Sequence, residues 1–98
     1  MKDDDTLTIV HDRDANRYEL FVDGARGAHL DYRIEDNTIT YTHTVTEPSM
    51  RGRGIAARVV QNALDEARAD KLIVVPECWY VAQFIDQHPE YADLVSRK

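Results

Sequence analysis

Two stretches of this 98-residue chain carry residue types that can do chemistry. The first is Glu47-Pro48-Ser49-Met50-Arg51-Gly52-Arg53-Gly54-Ile55-Ala56. Its glycines put no Cβ between a ligand and the main chain, and the helix predicted to follow begins with N–H groups that have no intrahelical acceptor. Those donors, with the positive end of the helix dipole, suit a phosphate. The plain alternative is a tight connection with solvated arginines. The second stretch holds Cys78, which follows an apolar strand at the start of another helix, where a thiolate is favoured. Cys78 also shares an apolar stripe with Val81, Ala82 and Ile85, the pattern of a buried small hydrophobe. His43 precedes the loop and has a ring able to take a proton from an amine near neutral pH. Its odd-number phase with Ile39, Tyr41 and Val45 suits a core or strand-face histidine instead. Tyr80 offers a hydroxyl. Glu47 is either a base near the loop or a water-facing acid, and Trp79 reads as a packing or lid residue.

The elements that must position these residues follow from periodicity. Alternation predicts strands over Thr6 to His11, Arg17 to Val22, Ala28 to Ile34 and Thr38 to about Thr46. Polar turns at 12–16, Asp23-Gly24 and Glu35-Asp36-Asn37 make an antiparallel meander of the four. Pro48 cannot donate to a ladder and stops the fourth strand. From Gly52 or Arg53 the period becomes helical: Ile55, Val59, Val60, Ala63, Leu64 and Ala67 share a face, and the helix ends near Asp70. Lys71 to Val75 is an apolar run, the pattern of a strand covered on both faces. A right-handed crossover places it parallel to the fourth strand. The glycine loop then lies beyond the carboxyl ends of parallel strands, where α/β folds tend to bind ligands. Pro76 fits the beginning of a second helix, which His88-Pro89 ends. Glu90 to Lys98 is a short final helix or frayed tail, pinned by Tyr91 and Leu94. The chain is thus a single α+β domain over 1–98, with three-layer-like α/β character and order β-β-β-β-α-β-α. Residues 1–5 form a flexible acidic fringe.

Composition narrows the classes. A net charge of −6 argues against a general nucleic-acid binder, which needs a broad basic surface. The loop can still hold a small polyanion, since Arg51 to Ala56 contains no acid. No apolar run approaches the roughly 20 residues of a membrane span, and the start lacks a signal-peptide pattern. With one cysteine there is no internal disulfide, and the cytoplasm is the default location. The remaining histidines are scattered without ligand spacing, so no metal is expected. An exposed strand edge leaves the chain a monomer or a weak homodimer.

The loop and its surroundings resemble the acetyl-CoA-dependent GNAT superfamily of N-acetyltransferases. Arg51-Gly52-Arg53-Gly54-Ile55-Ala56 fills the pattern Arg/Gln-x-x-Gly-x-Gly/Ala between a strand and a helix. His43 to Thr46, Val74 to Val81 and His88-Pro89-Glu90-Tyr91 are similar to the minimal, stand-alone GNAT-like family, over about Arg17 to Leu94. The resemblance implies a minimal GNAT fold with splayed, parallel fourth and fifth strands. It implies acetyl-CoA or CoA as the cofactor, with its pyrophosphate on the amides of Arg53, Gly54, Ile55 and Ala56 and its pantetheine between those strands. Val45 falls where the superfamily's fourth strand bonds the pantetheine, and the thioester falls near Cys78. Cys78 would then accept the acetyl group transiently or protonate the departing thiolate, His43 would serve as base, and Tyr80 could donate to the thiolate. Helices and strands that shape the acceptor pocket in larger members have no counterpart in this sequence. The expected function is acetyl transfer to an unidentified amine, on a small molecule or a protein. The alternatives are a non-catalytic CoA- or acyl-CoA-binding module and an interaction domain built on Arg51 and Arg53.

Overall fold

The computed structural model describes residues 6–95; the acidic fringe at 1–5 lies outside them. Five strands form one sheet in the order β1-β2-β3-β4-β5. β1 (Leu7–Asp12), β2 (Arg17–Val22), β3 (Ala25–Glu35) and β4 (Thr38–Thr46) run antiparallel in sequence, and β5 (Ile73–Pro76) pairs parallel with β4. α1 (Ile55–Ala69) is the crossover, and α2 (Trp79–Gln87) follows β5. The α+β class and the parallel β4–β5 pair stand as expected. Val59, Val60, Ala63 and Leu64 of α1 share one hydrophobic cluster with Val81, Phe84 and Ile85 of α2.

Turn chemistry moved several boundaries. Asp23 and Gly24 both take left-handed conformations, φ 51° and 89°, and close a two-residue hairpin that lets β3 pair from Ala25 rather than Ala28. Lys71 is left-handed at φ 59°, and the N–H of Leu72 donates to the Ala67 carbonyl at 2.9 Å. That C-terminal cap delays β5 to Ile73. β5 is an edge strand and is not covered on both faces: Val74 is fully buried but Ile73 is exposed. Pro76 closes β5 instead of opening α2, whose N-cap is Cys78. A 3-10 segment, Pro89–Leu94, follows α2 with Tyr91 and Leu94 buried, and Val95 bridges to Val74.

A polar network fastens α1 to the sheet. His11 Nδ1 donates to Glu66 Oε1 at 2.9 Å, the Tyr18 hydroxyl donates to the same oxygen at 3.1 Å, and His11 Nε2 lies 2.7 Å from the Tyr32 hydroxyl. On the opposite sheet face Arg17 pairs with Asp31 at 2.7 Å and Arg26 with Glu19 at 2.9 Å.

Candidate active site

Beyond β4 the chain makes a 3-10 turn, Pro48–Met50, then an extended residue, Arg51, and then two glycines with positive φ, Gly52 at 85° and Gly54 at 74°. Gly54 is the N-cap of α1, which therefore starts at Ile55 and not at Gly52 or Arg53. A Cβ built on either glycine would meet nothing within 4 Å. These positions need glycine for the left-handed backbone, at about 1 kcal/mol for any other residue, and the space before them is open to a ligand. The first helical bond runs from the Arg58 N–H to the Gly54 carbonyl at 3.3 Å, so the amides before Arg58 lack intrahelical acceptors. α1 has no acidic residue in its first turn and no side-chain cap. Its positive end is left for an external anion.

A cleft of about 200 Å³ opens against this helix start, lined by Thr46, Met50, Arg51, Gly52, Gly54, Ile55, Ala56 and Tyr80. Tyr80 comes from the first turn of α2, so the cleft joins the end of β4, the loop, α1 and α2. Partial burial raises the Tyr80 pKa above its ordinary value, which keeps the phenol protonated at neutral pH. Trp79 packs its ring edge-on to Tyr80, centroids 5.8 Å apart, yet is 73% exposed. It packs against a cleft residue without entering the core.

The largest departure from the sequence reading lies in β4. Tyr32 pairs with Tyr41 and Asp31 with His43, so Thr42 is an extra residue that breaks the register. A bulge of this kind flips the phase of the following side chains. Ile39 and Tyr41 are buried in the core, whereas His43 and Val45 are exposed, and Thr44 and Thr46 take the core-facing phase opposite Leu30 and Ala28. The shared odd-number phase of Ile39, Tyr41, His43 and Val45 is therefore wrong beyond Tyr41. His43 sits across from Asp31 on the sheet face that carries the ion pairs, away from the cleft. Main-chain direction changes as well. The Glu47 N–H donates to the Gly27 carbonyl at 2.8 Å, and alternate residues bond the same neighbour in an antiparallel ladder. Val45 thus turns its amide and carbonyl to β3, while Thr44 and Thr46 turn theirs to the side where β5 has ended.

There β4 and β5 part. Their pairing stops at Tyr41 and Pro76, and the Cys78 N–H adds one bond to the Tyr41 carbonyl at 2.9 Å. β4 then continues for five residues to Thr46. Cys78 caps α2 at this fork, only 8% exposed, with Sγ 3.3 Å from Thr44 Oγ1. The structure thus gathers Arg51, Gly52, Gly54, Ile55, Ala56 and Tyr80 at one cleft, keeps Cys78 in the wall of the fork, and leaves His43 and the Val45 side chain on the far face. Glu47 is half-buried, and Arg53 is an exposed loop residue. Met50, Thr46 and Thr44 were missed as site residues. A methionine in a loop and threonines on a regular strand carry no chemical signature.

A mixed sheet whose parallel strands fork at a glycine-bearing helix N-terminus is the architecture of an N-acetyltransferase domain, and residues 17–94 match the GCN5-related N-acetyltransferase family. The chain belongs to that family. It is 26% identical over 86 residues to Protein NATD1 of Xenopus tropicalis, covering 86% of this chain and 79% of that protein. Identity to Protein NATD1 of Danio rerio is 27% over 93 residues, covering 91% and 84% of the two chains. For the human protein of the same name it is 26% over 85 residues, covering 85% and 75%. The solution structure of a GCN5-like protein from Staphylococcus aureus superposes with a TM-score of 0.73 at 21% identity, covering 94% of this chain and 90% of that one. No helix among the described residues is long and apolar enough to cross a membrane.

Proposed function

We propose that this protein transfers an acetyl group from acetyl-CoA to an amine by direct attack within the cleft, with Tyr80 as the proton donor. The observation that carries the reading is the meeting of Tyr80 with the helix-start residues Ile55 and Ala56 and the two left-handed glycines in one cleft. The site fits the donor's chemistry: two left-handed glycines face open space, and the helix start has no acid of its own. The amides of Arg53, Gly54, Ile55 and Ala56 would take the pyrophosphate, with Arg51 beside it. The main-chain groups of Thr44 and Thr46 would hold the pantetheine, in place of Val45, whose groups are turned to β3.

Bound acetyl-CoA supplies an activated acyl carbon: the amine nitrogen bonds to it, the C–S bond breaks, and the amine loses one proton while the sulfur gains one. Tyr80 gives its phenolic proton to the departing sulfur and recovers one as the amine is deprotonated. Cys78 is the thiol wall of the fork, too buried to be the obligatory acyl carrier, and His43 takes no part.

Calorimetry with CoA, dephospho-CoA, ATP and pyrophosphate tests the loop, and CoA release dependent on an added amine tests the transfer. Binding without turnover across a broad amine panel would reassign the protein as a CoA-binding module. Heat from another ligand and none from CoA would remove both readings. Mass spectrometry after acetyl-CoA exposure is expected to find no acetyl adduct on Cys78.

A further inference from the structure

Gly27 lies outside the loop motif, near the start of β3, and is the glycine whose missing side chain makes room for the loop. The β2–β3 register runs Leu20↔Ala28 and then Phe21↔Arg26, which leaves Gly27 as the extra residue of a bulge in β3. It is buried, and its carbonyl accepts the Glu47 N–H at 2.8 Å, at the point where β4 gives way to the 3-10 turn. A Cβ added here would lie 2.7 Å from Met50 Sδ and 2.8 Å from Ile55 Cδ1, with Val22 Cγ2 at 3.4 Å. Gly52 and Gly54 pose the reverse case, a left-handed backbone with open space around it.

Both crowded side chains belong to the cleft. Met50 ends the 3-10 turn, Ile55 is the first residue of α1, and each lines the cleft wall. Ile55 is only 3% exposed within a packed core, so it can yield only if the helix start moves with it. Met50 is more flexible. Its thioether can swing away from Gly27, at the cost of changing the wall it forms.

We infer that Gly27 is a positioning residue for the anion-binding loop: its lack of a side chain seats Met50 and Ile55 against β3 and so sets where the α1 amides point. Gly27 touches no ligand and acts through those residues. The inference rests on the reading of the loop as the CoA site, and one arm of its test is independent of that reading.

The test uses the full chain, Gly27→Ala, and a relieved background, Met50→Ala/Ile55→Val, which deletes the crowding Sδ and Cδ1 atoms. In the native background Gly27→Ala is expected to weaken CoA binding about tenfold or more, the effect of a misplacement well under an ångström on several charge-assisted hydrogen bonds. In the relieved background the same substitution is expected to cost less than about twofold, because distant, uncoupled sites would instead add. The independent arm is the NMR amide shifts of Gly52 and Gly54 without ligand, which should move in Gly27→Ala and return toward their starting positions in the relieved triple variant. Equal penalties in both backgrounds, or unmoved loop amides, overturn the inference. If Gly27→Ala does not fold, recovery of folding in the relieved triple variant reads the coupling, and a triple variant that also fails to fold while its relieved parent folds overturns the inference. Wild-type protein that ignores CoA removes the proposed function, and the amide shifts still decide the role of Gly27.

Discussion

At the scale of single residues, Tyr80 and Cys78 separate by exposure rather than by reactivity. Tyr80 reaches the cleft and burial keeps it protonated, while Cys78 is buried against Thr44. Tyr80→Phe is expected to lower kcat roughly 10²- to 10⁴-fold with little change in donor KM, as for loss of a general acid; a stopped thiol-release assay reads both constants. The sign of the pH effect follows from the raised pKa. The phenol is in its active, protonated form through neutrality and loses it only as pH rises past a value above the ordinary tyrosine range. Activity should therefore fall on the alkaline side, and Tyr80→Phe should flatten that limb. His43→Gln should leave the whole profile unchanged, because the bulge at Thr42 has turned residue 43 to the other face of the sheet. An altered profile would restore His43 as a candidate base.

At the scale of elements, α1 has an uncapped, acid-free start and a tightly held end. Arg58→Glu adds a carboxylate near that start, and the two consequences have opposite signs: the helix gains about 0.5 kcal/mol from its dipole, and CoA binding weakens by repulsion. Thermal unfolding should rise as CoA affinity falls, a divergence that a general packing effect cannot produce. At the other end, Arg68 reaches Asp93 with both terminal nitrogens, at 2.9 and 3.0 Å, and the Glu90 carbonyl at 2.6 Å. Arg68→Ala should speed hydrogen exchange at Tyr91 and Leu94 and leave the loop amides untouched. Much of this layer was legible beforehand. Pro48, the change of period after the loop, read from Gly52 or Arg53, and the apolar run after Lys71 name their elements, because proline geometry and side-chain periodicity are local properties. The two bulges were not legible. Period-two counting carries a strand's phase forward unchanged, so nothing in Thr38 to Thr46 announces that Thr42 is an extra residue. Gly27 likewise falls ahead of the third strand as alternation reads it, from Ala28, and its place in a bulge shows only in the strand register, with Met50 and Ile55 above it. The loop of the proposed site was legible because Gly52 and Gly54 act through backbone conformation, whereas the direction of the His43 side chain and of the Val45 main chain was not, because both depend on the bulge at Thr42.

At the scale of the whole molecule, all five tyrosines have raised pKa values, Tyr18, Tyr32, Tyr41, Tyr80 and Tyr91, with burial first among the causes. Their folded-state pKa values lie above those of the unfolded chain. By linkage this contribution to stability is fully present below the unfolded value, near 10, and is lost as pH rises from there toward the folded values. Denaturant midpoints should be nearly independent of these groups up to about pH 9 and then drop steeply. Beyond the single ionisation of Tyr80, tyrosinate absorbance should rise together with the loss of fold; ionisation of the buried Tyr18 or Tyr41 that precedes unfolding would contradict the burial argument. The exposed ring beside the cleft has an optical consequence. Trp79 is the chain's single tryptophan, so the protein's long-wavelength emission comes from one indole in contact with Tyr80. The unlabelled protein therefore carries its own occupancy gauge: emission typical of a wet indole when the cleft is empty, and a quenched or blue-shifted band that saturates in step with the calorimetric isotherm as CoA is added.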